Sequence, residues 1–299
     1  MTALVALIVM LGMCAVIPMG LALIDEPGLR WLRRGWPAAA VAGSAALWLP
    51  RGATATALAT GYALATLALA LYAPRRLLRT RSLAPREIAV LTALVTPVVA
   101  GTALVAERSG HQLFGFDLRI LSLTVPHFHF AGFAAALVAG LVCRAAAPGR
   151  AGPLAALSVP VGTLLVLAGY FVDDWAELAG AVVLTAGMWL VALVTWRDLR
   201  TTAPDRTTRT LLGVSAAVLL ATMLLALSWA LGEATGVPHP TLAWMAATHG
   251  LGNALGFALC ALLAWHRLRA RPTAYRPSAN RPTANRPTAS ATEEAGTPA

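Results

Sequence analysis

Blocks of Leu, Ala, Val and Gly, most close to 20 residues long, follow one another along the chain, separated by short polar stretches rich in arginine and proline. A run of about 20 apolar residues matches the hydrocarbon thickness of a bilayer. In lipid every backbone polar group must be satisfied internally, which leaves helices or the strands of a closed barrel. Barrel strands alternate apolar and polar positions over about ten residues, whereas these blocks are continuous, so the pattern predicts helices. Nine are expected, at about 1–24, 36–50, 52–73, 87–106, 123–146, 153–172, 175–198, 209–232 and 241–266. The second is short, and only Pro50 and Arg51 part it from the third, which suggests a hairpin. The first lacks the basic start and the cleavage site of a signal peptide and reads as a retained span.

Composition agrees: of 299 residues, 58% are hydrophobic and 12% charged, about half the charged share of a soluble domain. All 23 basic residues are arginine. If successive helix borders alternate sides, twenty arginines share one face and only Arg51, Arg108 and Arg119 lie opposite. Such asymmetry sets orientation by the positive-inside rule. The expected fold is therefore all-α, a polytopic transmembrane helix bundle of about nine spans, with the N-terminus outside and the C-terminus inside. Eight of nine tryptophans fall at predicted borders, Trp189 being the exception, as an interfacial aromatic belt requires. The net charge of +10 is thus a topology signal and gives no support to a nucleic-acid partner. The lipid bilayer is the first partner. Arginine-only basicity with Ala/Leu/Gly bias points to a high-GC bacterial genome and to the bacterial cytoplasmic membrane.

Two regions follow, a transmembrane helical domain over 1–266 and a basic tail over 267–299. The tail repeats Arg-Pro-Thr/Ser-Ala-Xaa, has no apolar period and is expected to be disordered. The longest loop on the arginine-poor side, about 107–122, mixes apolar and polar residues and is placed to fold back as a lid. Cys14, Cys143 and Cys260 form no CxxC and read as buried free thiols.

The chemistry concentrates in two blocks, Pro126-His127-Phe128-His129-Phe130-Ala131-Gly132-Phe133 and Thr248-His249-Gly250-Leu251-Gly252-Asn253-Ala254-Leu255-Gly256-Phe257. Imidazoles are costly in hydrocarbon, so ionisable residues inside a span point to function. Five of the six histidines map to the arginine-poor side, joined there by Asp173, Asp174 and Glu177. Candidate ligand-binding residues are His127, His129, His249, Asn253, Asp173 and Asp174; candidate metal ligands are His127, His129 and His249. Positions two apart on a helix point about 200° apart, so His127 and His129 face one centre only if the segment unwinds before Phe130. Pro126 suits a first helical position. His249 and Asn253, four apart, share a face. Gly132, Ala136, Gly140, Gly252 and Gly256 are small enough to let helices approach around the site.

Several readings narrow. Met10, Met13 and Cys14 have the spacing of a soft Cu(I) stripe, but ordinary core packing is the favoured reading. No acid or lysine lies mid-span, and no phosphate loop, Gly-x-Ser-x-Gly or His-Glu-x-x-His is present.

Through the two histidine blocks, the chain resembles the YndJ-like family of bacterial membrane proteins, over about 1–266. The resemblance implies a multi-pass membrane fold and a transporter-type label, with no activity attached. Three readings stand. In the first, a site facing outward between the fifth, sixth and ninth helices binds or transports a small solute or lipid, in a cavity lined by His129 and His249. In the second, the histidines hold a transition metal or haem in a membrane enzyme or redox protein. In the third, the chain is a scaffold for a membrane partner, or self-associates as a homo-oligomer.

Overall fold

The computed structural model describes residues 1–270; the Arg-Pro repeat lies outside the described residues. Among these, nine long helices form the fold: α1 Ala3–Leu23, α2 Leu29–Trp48, α3 Ala53–Thr80, α4 Pro85–Ser109, α5 Leu118–Ala145, α6 Ala151–Gly169, α7 Asp174–Leu199, α8 Arg206–Thr235 and α9 Leu242–Ala270. All except α2 are long and apolar enough to cross a membrane. The first turns of α2 carry Arg30, Arg33 and Arg34, which leaves it only a short apolar stretch after Trp36.

Helix ends differ from the sequence expectation where polar residues cap them. α5 begins at Leu118 rather than near 123, because the Asp117 carboxylate accepts the N–H groups of Arg119 and Ile120, both at 2.8 Å. Such caps satisfy the orphan donors of a first turn. Pro126 therefore lies inside α5, not at its start. α9 continues to Ala270, past the boundary at 266, and Gly110 (φ 77°) and Gly236 (φ 74°) close α4 and α8 in the left-handed region.

α5 is the core element. Its apolar window is 78% buried, against 28% to 56% for the other spanning helices, and it touches α1, α4, α6, α7 and α9. Phe133 and Leu137 lie over Gly20 of α1, where an added Cβ would come within 2.9 Å of both. The closest helix pair is α6 with α7. A Cβ on Gly162 would sit 2.5 Å from the Leu184 Cα, and one on Gly180 2.5 Å from the Val166 backbone nitrogen. Gly187 is likewise pressed on Ser158 and Val159. Small residues let membrane helices approach until backbones touch. Those expected around the histidines pack other pairs: Gly132 meets Thr96 and Gly140 meets Ala89, both of α4, while Gly252 and Gly256 meet Thr222 and Val218 of α8.

Charged clasps tie the ends. Glu107 of α4, fully buried, receives Arg51 at 2.9 Å and also its neighbour Arg108. The Arg108 guanidinium donates as well to the carbonyls of Ala46, Leu47 and Leu49, at 3.2 to 3.4 Å, capping α2. Two of the three arginines on the arginine-poor side therefore share one buried carboxylate. At the other end, Arg76 joins Glu87 at 2.8 Å and the Asp25 carbonyl at 2.8 Å, and Arg267 joins Asp205 at 3.1 Å.

Candidate ligand-binding cavity

α1, α5 and α9 each contain a π-wound stretch: Gly12–Val16, Phe128–Ala134, and Ala246–Gly250 with Gly252–Leu259. These stretches touch one another, so three helices widen at one place. π turns expose backbone and redirect side chains, and they recur at functional sites.

The widening does not bring His127 and His129 together; they leave α5 on opposite sides. His129 has no exposed surface and points to α1 and α3. Its Nε2 shares a hydrogen bond of 2.7 Å with the Tyr62 hydroxyl, and its ring stands edge-on to Tyr62 at 5.8 Å. Its Nδ1 has no hydrogen-bond partner among the described residues. Gly12 makes the room, since a Cβ there would be 2.6 Å from that Nδ1. Trp36 stacks edge-on against Tyr62 at 5.8 Å and donates to the Met13 carbonyl at 2.8 Å. His129 thus belongs to a packed aromatic cluster.

His127 lines a cavity of about 500 Å³ bounded by α1 and α4 to α9, on the arginine-poor side. His249, Asn253, Glu177, Tyr170 and Thr124 supply further polar groups to a wall otherwise dominated by Phe, Leu, Met, Val and Ala. His127 makes no hydrogen bond to any described residue, and its ring contact is with Phe128 at 5.5 Å, so both its nitrogens are available to a ligand. His249, by contrast, is held. Its Nδ1–H donates to the Thr222 carbonyl at 2.7 Å. The Asn253 amide donates to its Nε2 at 3.2 Å, and the Thr222 hydroxyl donates to the Asn253 oxygen at 2.7 Å. The ring of bonds closes without conflict for a neutral imidazole, and it pins α9 to α8.

Asp173 and Asp174 are not brought into the cavity. Asp173 caps α7 by accepting the Ala176 N–H at 2.7 Å, and Asp174 is exposed. Glu177, one turn on, is the carboxylate that lines it. The loop after α4 does fold over the mouth. Leu113 pairs with Phe116 across a turn whose central residues, Phe114 and Gly115, have φ of 55° and 84°, the sign pattern of a type I′ hairpin turn. Phe116 packs edge-on against Phe171 at 5.3 Å and Tyr170 at 6.1 Å. Of the remaining histidines, His239 pairs with Glu233 at 2.6 Å, and its bond to the Val237 carbonyl, helped by that carboxylate, raises its pKa. His111 bonds to Ser109, and His266 donates to the Met19 carbonyl at 3.0 Å.

The metal reading fits these donors poorly. His129 faces away from the other two, the Nε2 lone pair of His249 accepts from Asn253, and no group of three His, Cys, Asp or Glu side chains able to hold an ion exists among the described residues.

The fold and the apolar helices define a multi-pass, all-helical membrane protein. The profile of the family described as YndJ-like protein matches residues 7–257, and the chain belongs to that family. It is similar to a Bacillus subtilis (strain 168) protein named "Uncharacterized membrane protein YndJ", with 26% identity over 204 residues, which cover 68% of this chain and 37% of the relative. The chain thus spans little more than a third of that relative's length. No solved structure matches.

Proposed function

We propose that this membrane protein binds, and in its membrane moves or presents, a small amphipathic solute or lipid in the cavity between α5, α7 and α9. The single observation that carries this reading is a space of about 500 Å³ with a mostly apolar wall, into which His127 projects without a protein partner. Apolar cavities with a few converging polar groups are the usual form of small-molecule sites. Here the apolar wall takes the hydrophobic body. His127 and the cavity-facing Asn253 and Glu177 take a polar head. The hairpin turn at Phe114 sits where a ligand enters. With the arginine-rich ends inside, the mouth faces outward from the cytoplasmic membrane, the N-terminus lies outside and the C-terminus inside.

The test is mass spectrometry of small molecules and lipids released from detergent-purified protein, wild type beside Ala131→Phe and His127→Ala. Ala131 lines the cavity, and Phe there occupies part of it beside His127. A co-purifying amphiphile depleted in both variants supports the reading. Identical small-molecule content in all three, with both variants folded, refutes it.

A further inference from the structure

The cavity on the arginine-poor side carries a charge that none of its own lining balances. Among the described residues that line it, Glu177 is the one acid, and there is no arginine. Glu177 is 8% exposed. Its hydrogen-bonding neighbour is the Tyr170 hydroxyl, and the charges acting on it belong to Asp174 and Glu233, both acids. The basic groups of this side are engaged or turned away. His239 is paired with Glu233 at 2.6 Å, and Arg51 and Arg108 share Glu107. Arg119, exposed at the start of α5, does not line the cavity. Arg76, Arg79, Arg86 and Arg144 line a smaller cavity at the opposite end of the bundle. Taking a carboxylate out of water with no cation beside it is costly. We propose that the ligand supplies that cation. Given that the cavity is a small-molecule site, as read above, its ligand is an amphipathic organic cation, an amine or quaternary ammonium group on an apolar chain.

The lining passes from charge to hydrocarbon along one face of α7. Glu177, Ala181, Leu184 and Met188 line the space, at steps of four, three and four residues that stay on one side of a helix. These eleven residues rise about 16 Å. Glu177 lies in the first turn of α7, so a charged head sits at the mouth and an apolar tail runs toward Met188.

Aromatic rings surround the same end. Phe116 packs edge-on against Phe171 at 5.3 Å and Tyr170 at 6.1 Å, and all three line the cavity with Trp229. Ring faces attract ammonium groups, and cages of such rings recognise quaternary ammonium. An anionic head would meet Glu177 as a like charge, and like charges repel most strongly where water is excluded. The carboxylate and the rings therefore select for positive charge, whereas the apolar wall takes a tail of any head.

Native mass spectrometry of the full chain in phosphatidylcholine nanodiscs tests this with three probes of one tail length: dodecyltrimethylammonium, dodecyl sulfate and dodecyl maltoside. The ranking of the probes on the wild type needs no variant and decides the sign of charge by itself. The variants are Glu177→Gln, Glu177→Asp and the exposed Asp174→Asn, and an unchanged melting temperature without probe shows that each is folded. The cation is expected to bind more tightly than the other two. Its affinity should fall about tenfold in Glu177→Gln, persist in Glu177→Asp and stay within about twofold of wild type in Asp174→Asn, while maltoside binding does not change. Equal affinity for all three probes, lost in Ala131→Phe, overturns the cationic ligand and leaves the cavity as a binding site. Cation preference that survives Glu177→Gln, or falls equally in Asp174→Asn, overturns the role of Glu177. Binding of every probe unaffected by Ala131→Phe overturns both the cation and the cavity reading beneath it.

Discussion

The clasp around Glu107 lends itself to a quantitative test. Its carboxylate is fully buried between Arg108, itself 4% exposed, and Arg51, 45% exposed. Glu107→Gln removes the negative charge and leaves the Arg108 guanidinium uncompensated. Breaking a buried ion pair in this way costs about 3–5 kcal/mol. Arg108 keeps its bonds to the carbonyls of Ala46, Leu47 and Leu49, which places the expected cost at the low end, about 3 kcal/mol. Arg51→Gln loses only a partner that water replaces and is expected to cost at most about 1 kcal/mol. Apolar replacement of a buried pair is often neutral, but the Glu107→Leu/Arg108→Met double variant also uncaps α2. Three carbonyls at about 1 kcal/mol each keep it near the stability of Glu107→Gln. Equilibrium unfolding in mixed micelles with increasing sodium dodecyl sulfate, followed by circular dichroism, measures all three. A Glu107→Gln variant within about 1 kcal/mol of wild type, no worse than Arg51→Gln, would refute the reasoning. A double variant as stable as wild type would refute the capping role of Arg108.

Other consequences are open to the same assay. Gly162→Ala drives a methyl into the backbone of Leu184 and is expected to cost 1–3 kcal/mol or more, roughly the range for overpacking. Gly61→Ala, whose Cβ meets only the Ala42 Cβ at 4.0 Å, serves as its neutral control, and equal effects would discount the α6–α7 contact. Asn253→Leu leaves the His249 Nε2 without its donor, while the Thr222 hydroxyl keeps the Leu219 carbonyl at 3.3 Å, for a loss of about 1–3 kcal/mol; no loss would mean that the hydrogen-bonded ring is dispensable. His127→Ala, which breaks no hydrogen bond, should leave stability within about 0.5 kcal/mol while depleting bound ligand. Asp205, held to about 2 by the Thr208 N–H, the Thr208 hydroxyl and Arg267, favours the folded state above the ordinary carboxylate value. That contribution fades as pH falls from about 4 to about 2. Asp205→Ala should flatten the melting-temperature profile across this window, and an unchanged profile would show that the cap does not titrate.

The candidate site was half legible. Intramembrane histidines and the His249–Asn253 spacing pointed to α5 and α9, both of which line the cavity, and the opposed directions of His127 and His129 followed from helical geometry. Which histidine entered the cavity depended on α1, whose Gly12 leaves room for the His129 ring beside Tyr62. Asp173 and Asp174 do not line the cavity, because the helix start turns Asp173 back onto its own backbone, and Glu177 is the carboxylate that lines it. A signal for the α6–α7 contact was present in the seven-residue spacing of Gly162 with Gly169 and of Gly180 with Gly187, the periodicity of a helix-packing seam.

By itself, the sequence determined that the chain is a bundle of apolar helices with a strong charge bias, because lipid leaves the polar backbone of an apolar segment no alternative to internal hydrogen bonding. The tertiary structure decided the partners. α5 became the core, His127 rather than His129 came to line the cavity, and arginines that read as topology signals became a capping clasp at one end and the lining of a cavity at the other. These outcomes depend on which helices touch and at what height. Apolar runs carry little of that information, since any of them is equally content against lipid or against a neighbour.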